Sequence, residues 1–152
     1  MPRRTRFKLS GFEAWVDNIK NTVSQEAAAR IVDDLKKSGP YWSGDFESAW
    51  VVKAGDQQVS ANRQPSEDRP PAPLPRQVTP TPVPKPTGRK SIDYTIGNEM
   101  VYRNVALDIE QGRIKKGGNE TAPQDWYRTY TEGGKLRQGL REVTKRVIKG
   151  QE

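Results

Sequence analysis

A run of prolines near the middle of the chain places the strongest limit on the fold. Residues 65–86 read PSEDRPPAPLPRQVTPTPVPKP and hold nine of the 12 prolines. Because proline lacks a backbone N–H and fixes φ, such a run excludes a helix or an inner strand. At about 3 Å per residue it can reach on the order of 60 Å. Three roles are open: a hinge between two domains, a docking peptide, or an arm thrown out of one domain.

The segment before the prolines is dominated by one long amphipathic helix. Ser10 and Glu13 have the spacing of an N-terminal capping box, and Gly39-Pro40 provides a stop signal. Between them apolar residues recur at spacings of three and four, with Trp15 at the margin of the stripe. The stripe consists of Phe12, Val16, Ile19, Val23, Ala27, Ile31 and Leu35.

The other predicted elements are shorter. Alternating apolar and polar residues predict strands over 46–53 and over 90–97, and the segment 101–109 fits either a helix or a strand. Pro123 is expected to open a short turn that carries three aromatic residues. Residues 133–149 predict a terminal helix, with an apolar stripe formed by Leu136, Leu140, Val143 and Val147.

These elements must form one domain, because neither segment beside the prolines can bury a core alone. A lone strand leaves its hydrogen-bonding edges open, and a fragment near 60 residues is only marginally stable. We therefore predict a single α+β domain over residues 10–152, with a small antiparallel sheet packed by the N-terminal and C-terminal helices. Residues 1–9 are then a basic arm, and residues 57–87 are a long proline-rich extended loop. That loop is a candidate for lying on a neighbouring subunit, and the alternatives are a solvated loop or a ligand for a proline-binding module.

Composition excludes several kinds of chemistry. The chain contains no His and no Cys, which rules out disulfides, thiolate nucleophiles, Cys/His zinc sites and a Ser-His-Asp triad. The carboxylates Asp45, Glu47, Asp108 and Glu110 are scattered, and KKGGNE lacks the setting of a phosphate-binding loop. No catalytic, cofactor or metal site is therefore predicted, and we expect the protein not to be an enzyme. No apolar run approaches the roughly 20 residues of a membrane span, so no membrane partner is expected.

The charge of the chain favours anionic partners. The net charge is +7, and basic residues occur at the N-terminus, in the glycine-containing segment 112–118 and along the terminal helix. A small basic nucleic-acid-binding protein is therefore one of the functions that the sequence allows.

Three stretches occur together in a recognisable order. The first is LKKSGPYWSGDFESAWVV, in which a helix end is followed by an aromatic turn with a glycine and a strand. The second is YTIGNEMVYRNVALDIEQGR, with Tyr102, Ala106, Glu110 and Gly112 after a strand and a glycine-centred turn. The third is a basic helix that follows a short aromatic segment. Together they resemble the neck and tail-completion proteins of tailed bacteriophages, which include head–tail connectors and tail terminators.

The resemblance implies a structural virion protein that is assembled in the host cytoplasm and forms a homo-oligomeric ring where tail meets head. Its implied partners are other phage neck, connector or tail proteins, while DNA passes through the ring without specific recognition. No cofactor and no catalytic group is implied. The candidate assembly contacts are Arg3, Arg4, Arg6, Pro70, Pro75, Pro82, Pro84, Tyr102, Glu110 and Arg113.

Overall fold

A computed structural model of the protein describes residues 9–41, 43–67, 76, 78–85, 93–110 and 122–150. Within these ranges, five helices surround a two-stranded antiparallel sheet. The predicted α+β fold is confirmed: a long N-terminal helix and a C-terminal helix accompany the small sheet. In chain order the elements are α1 (Leu9–Ser38), α2 (Asp45–Ser48), β1 (Trp50–Ala54), β2 (Tyr94–Asn98), α3 (Arg103–Ala106), α4 (Trp126–Glu132) and α5 (Lys135–Lys149).

The sheet joins the segments on the two sides of the proline run. β1 and β2 are paired antiparallel, with Trp50 opposite Asn98 and Ala54 opposite Tyr94. Residue 63 adds a parallel bridge to Met100 beyond the end of β2. The two segments thus share one set of backbone hydrogen bonds, as the single-domain prediction requires.

Gly97 lets the chain cross closely over the sheet. A Cβ atom at this position would lie 2.6 Å from Cβ of Val59, closer than real Cβ contacts allow. Val59 is buried there, and its carbonyl accepts a hydrogen bond from the Arg103 guanidinium at 2.6 Å. Residues 59–63 therefore belong to the packed domain, although they fall within the predicted loop 57–87.

Aromatic rings occupy the centre of the main core. Phe46 lies 5.6 Å from the ring of Trp50, 6.4 Å from Tyr102 and 6.3 Å from Trp126, measured between ring centroids. Trp50 lies before the proline run, whereas Tyr102 and Trp126 lie after it. Phe46 therefore packs the segments on the two sides of the run against each other. The indole N–H of Trp126 donates to the carbonyl of Ala106 at 2.9 Å, which satisfies its polar atom inside the core.

A second, smaller apolar cluster joins α1 and α5. Ala27 packs with Val143 and Val147, and Ile19 and Val23 lie against this cluster. Cross-helix ion pairs of Glu26 with Arg146 and of Arg30 with Glu142 flank the seam. Because the lower residue number on one helix meets the higher number on the other, the two helices run antiparallel.

Three local predictions need correction. α1 begins at Leu9, so Ser10 lies inside the helix rather than at its cap. Residues 45–48 form the helical turn α2 instead of the start of a strand, because Gly44 adopts φ 85° and its carbonyl accepts from Ser48 N–H at 2.9 Å. The aromatic segment that was expected to be a turn forms the helix α4.

Two further segments differ in extent. The second strand spans Tyr94–Asn98, and residues 90–92 of its predicted range lie outside the described residues. The segment 101–109, for which helix and strand were both open, contains the single helical turn α3. Among the helices that the structure describes, none is both long and apolar enough to cross a membrane.

Candidate assembly surfaces

The predicted contact residues are only partly within the described ranges. Six of them lie outside: Arg3, Arg4, Arg6, Pro70, Pro75 and Arg113. The structure places the other four, which are Pro82, Pro84, Tyr102 and Glu110. It does not gather these four into one site, and each is described with its own surroundings below.

Tyr102 and Glu110 lie on either side of α3. Tyr102 is half-buried, and its ring stacks on Phe46 in the main core. Glu110 is exposed, and its carboxylate accepts a hydrogen bond from Asn104 Nδ2 at 3.0 Å. Tyr102 thus contributes to the fold itself, whereas Glu110 is available at the surface.

Arg76, inside the proline run, caps the end of α1. Its guanidinium donates to the carbonyls of Lys36 at 2.8 Å and Gly39 at 2.7 Å, and also to that of Lys37. It also lies 4.7 Å above the ring of Tyr41. The last carbonyls of a helix have no intrahelical partner and carry partial negative charge. Arg76 supplies both hydrogen bonds and positive charge at this end.

A buried ion pair holds the next part of the run. Lys36 Nζ lies 3.5 Å from Glu47 Oε1, and the two side chains are only 4% and 6% exposed. Thr79 bridges them: its carbonyl accepts from Lys36 Nζ at 2.6 Å, and its N–H donates to Glu47 Oε1 at 3.3 Å. The proline run therefore supplies hydrogen bonds that two buried charges need.

The end of the run also lies on its own domain. Val83 packs against the main core, and the carbonyl of Pro84 accepts a hydrogen bond from the Tyr94 hydroxyl at 2.7 Å. Pro82 is exposed. Residues 76 and 78–85 thus contact the chain's own domain. This part of the run is therefore packed on its own domain rather than extended away from it.

A polar network links α1, α4 and α5. The Tyr130 hydroxyl donates to Asp34 Oδ2 at 3.1 Å, and Arg30 Nε donates to the same carboxylate. Arg30 also pairs with Glu142 at 3.1 Å. Burial raises the pKa of Tyr130 above its ordinary value, and the nearby Asp34 carboxylate raises it further. The network fixes helix positions, and no metal-ligating cluster of acidic residues occurs in the part of the chain that the structure describes.

The first surface with the character of an interface is the N-terminal end of α1. Among residues 11–20, all of which are described, none is buried. Phe12 and Trp15 stack at 5.8 Å and remain 43% and 49% exposed. By the pairing of Glu26 with Arg146 and of Arg30 with Glu142, residues 11–18 lie beyond the last turn of α5, whereas Ile19 packs against the α1–α5 cluster. We call residues 11–19 the α1 end; sequence reasoning placed Trp15 only at the margin of the stripe.

The second surface runs along the outside of α5. Leu140, Thr144 and Ile148 follow each other at steps of four and form one stripe. Leu140 is 37% and Ile148 50% exposed, and Thr144 is half-buried. We call these three residues the α5 stripe. Leu140 was expected to face the core, whereas Val143 and Val147 do so; the regular spacing of Thr144 and Ile148 was the signal that sequence reasoning missed.

Basic residues border the α5 stripe. Arg137, Arg141 and Lys145 are all exposed, and none forms an ion pair with another residue that the structure describes. The α1 end carries instead two acidic residues, Glu13 and Asp17. Both surfaces thus expose large apolar side chains, and the charged residues beside them are opposite in sign.

Comparison with protein-family models, with curated proteins and with solved structures finds no match for this chain.

Proposed function

We propose that the protein is a structural virion subunit of a tailed bacteriophage that assembles as a ring at the neck, either as a head–tail connector or as a tail terminator. In this role it forms a homo-oligomer and contacts neighbouring neck or tail proteins. DNA passes through the ring without sequence-specific recognition. The proposal assigns the protein no catalytic step and no cofactor.

The observation that carries the proposal is the presence of two unlike exposed apolar surfaces on one small domain. Exposed large apolar side chains that cluster on a monomer are typical of interfaces between proteins. Here they form the α1 end and the α5 stripe, which differ in shape and charge. Two different surfaces that bind each other produce a head-to-tail contact, and such contacts close into rings when the rotation allows.

The stretches that resemble phage neck proteins also meet in space. Phe46 of the first stretch packs on Tyr102 of the second and on Trp126 of the aromatic segment before the terminal helix. Their order in the sequence therefore corresponds to one packed unit rather than to three independent motifs.

The mass of the purified full-length chain tests the ring. We expect light scattering to give a single multimer of several copies, and negative-stain electron microscopy to show closed rings. A monomer over the micromolar range would contradict the proposal. Gold-labelled antibodies against the protein should then decorate the head–tail junction of the phage particle; labelling elsewhere on the particle would contradict the neck assignment.

A second candidate function is nucleic-acid binding, which the basic outer face of α5 favours. Arg137, Arg141, Lys145 and Lys149 are all exposed along this helix, and clustered basic side chains bind phosphates without regard to sequence. A gel shift with duplex DNA across a salt series distinguishes the two functions. Tight binding with a steep salt dependence, by a chain that remains monomeric, would favour this candidate over the ring.

A further inference from the structure

We infer that the α1 end of one copy docks on the α5 stripe of the next copy, so that a single helix–helix contact builds the proposed ring. The inference rests on the proposed function. It adds which two helices meet in the ring and which charged residues align them. The partner that binds the α5 stripe is thus a second copy of this chain.

The α1 end offers an apolar strip with acidic residues on one side. Trp15 is 49% exposed and Val16 is half-buried beside it, while Ile19 at the edge of the strip packs against the α1–α5 cluster of its own chain. Glu13 and Asp17 are four residues apart, so they lie one above the other on the same helix face. Neither acid forms an ion pair with another described residue.

The α5 stripe offers the matching arrangement with the opposite charge. Arg141 and Lys145 follow one another at the same spacing of four residues and border the apolar side chains of Leu140 and Ile148. Two acids and two bases at equal spacing can pair whether the docked helices run parallel or antiparallel. Both surfaces extend over about two helical turns, or about 11–12 Å at 1.5 Å per residue.

Charge also selects this pairing over symmetric ones. Helix α5 carries six basic residues against one acidic residue, whereas residues 11–19 carry two acids and no base. Two α5 helices that face each other would repel. The attractive combination is α1 on α5, which is a head-to-tail contact.

The test is a charge-reversal cycle on the full-length chain, followed by light scattering at low salt. Glu13→Lys/Asp17→Lys and, separately, Arg141→Glu/Lys145→Glu should each weaken association by at least about tenfold, since like charges then oppose each other. Combining all four substitutions should restore the multimer. Lys53→Glu/Lys85→Glu is the matched control: it changes the net charge as much as the α5 variant does, but its positions lie on β1 and in the proline run.

The outcomes separate this inference from the proposed function. If both double variants still form the multimer, the docking of α1 on α5 is overturned but the ring is not. The same holds if the fourfold variant stays dissociated while its circular dichroism matches that of the wild type. A monomeric wild-type chain would overturn both. If that monomer binds duplex DNA and Arg141→Glu/Lys145→Glu abolishes the binding, the basic face of α5 is a nucleic-acid surface instead.

Discussion

The two halves of α1 share one helix but have opposite surroundings. In the C-terminal half, Ala28, Val32 and Leu35 belong to the main core, while Ala27 packs against α5. In the N-terminal half, residues 11–20 include no buried residue. Packing against both the main core and α5 holds the C-terminal half in the domain, whereas the N-terminal half leaves large apolar side chains exposed.

The side chains explain the contrast. Ala27 faces α5 and Ala28 faces the main core, and their small size lets both neighbours approach the helix backbone closely. The N-terminal half instead carries the large rings of Phe12 and Trp15, which stack on each other at 5.8 Å. Large exposed aromatic side chains give little to a monomer but dominate the energetics of interfaces.

The largest effect is expected at the buried ion pair beside the C-terminal half. Lys36→Met leaves the Glu47 carboxylate buried without its ammonium partner, and we expect it to lower the free energy of unfolding by about 4 kcal/mol. Urea denaturation measures this loss. The double variant Lys36→Met/Glu47→Leu removes both charges and should recover part of the stability. A double variant less stable than the single one would show that the pair itself is not what the site depends on.

A matched pair of truncations compares the two halves directly. Leu35→Ala removes a side chain that is 4% exposed and should lower the free energy of unfolding by about 3 kcal/mol. Trp15→Ala removes a larger side chain from the exposed half and should change it by less than about 0.5 kcal/mol, when both are measured at a concentration too low for association. A large loss of unfolding free energy in Trp15→Ala would show instead that the α1 end contributes to the stability of the fold.

Arg76→Ala tests whether the proline run is attached to the end of α1. It removes charged hydrogen bonds to the carbonyls of Lys36, Lys37 and Gly39, and we expect a loss of about 2 kcal/mol with faster proteolysis inside residues 76–85. Arg128→Ala is the control, because its ion pair with Glu132 is exposed and screened by solvent, so its loss should have little effect on stability. Equal effects of the two substitutions would mean that the run only rests on the surface.

A smaller loss than at Leu35 or Arg76 is expected at Tyr130, and it depends on pH. Burial and Asp34 raise its pKa in the folded state. Both states keep the proton below about pH 10, but above that value the unfolded chain loses it first. Stability should therefore fall as the pH rises above about 10. Tyr130→Phe should cost about 1 kcal/mol at neutral pH and make the alkaline decline shallower in denaturation series. An unchanged slope would contradict the assigned pKa direction.

Sequence periodicity was sufficient for the elements that have a regular apolar pattern. The helix around Val143 and Val147, the strand before Gly97 and the long helix up to Leu35 were all predicted. The sequence predicts a strand through Phe46 because Phe46, Ser48, Trp50 and Val52 alternate with polar or smaller residues. Residues 45–48 instead form the helical turn α2, which begins after Gly44. Periodicity indicates which side chains share a face. It does not reveal the positive φ of Gly44, which starts the helical turn that precedes β1.

The docking of the proline run could not be predicted in the same way. It depends on hydrogen bonds of Arg76 and Thr79 with Lys36 and Glu47, which join polar residues 32 to 43 positions apart in the chain. No spacing rule links polar contacts over such distances. The basic residues of α5 and Trp15 are visible in the sequence, but their exposure on two separate surfaces depends on where α5 ends along α1.

Disulfide trapping between single-cysteine variants tests the head-to-tail contact most directly, because the native chain contains no cysteine. Val16→Cys lies on the α1 end and Thr144→Cys on the α5 stripe. On oxidation, an equimolar mixture of the two variants should give a covalent dimer in much higher yield than either variant alone. If Val16→Cys alone gives as much dimer as the mixture, or if the mixture gives none, the contact of α1 with α5 between copies is contradicted.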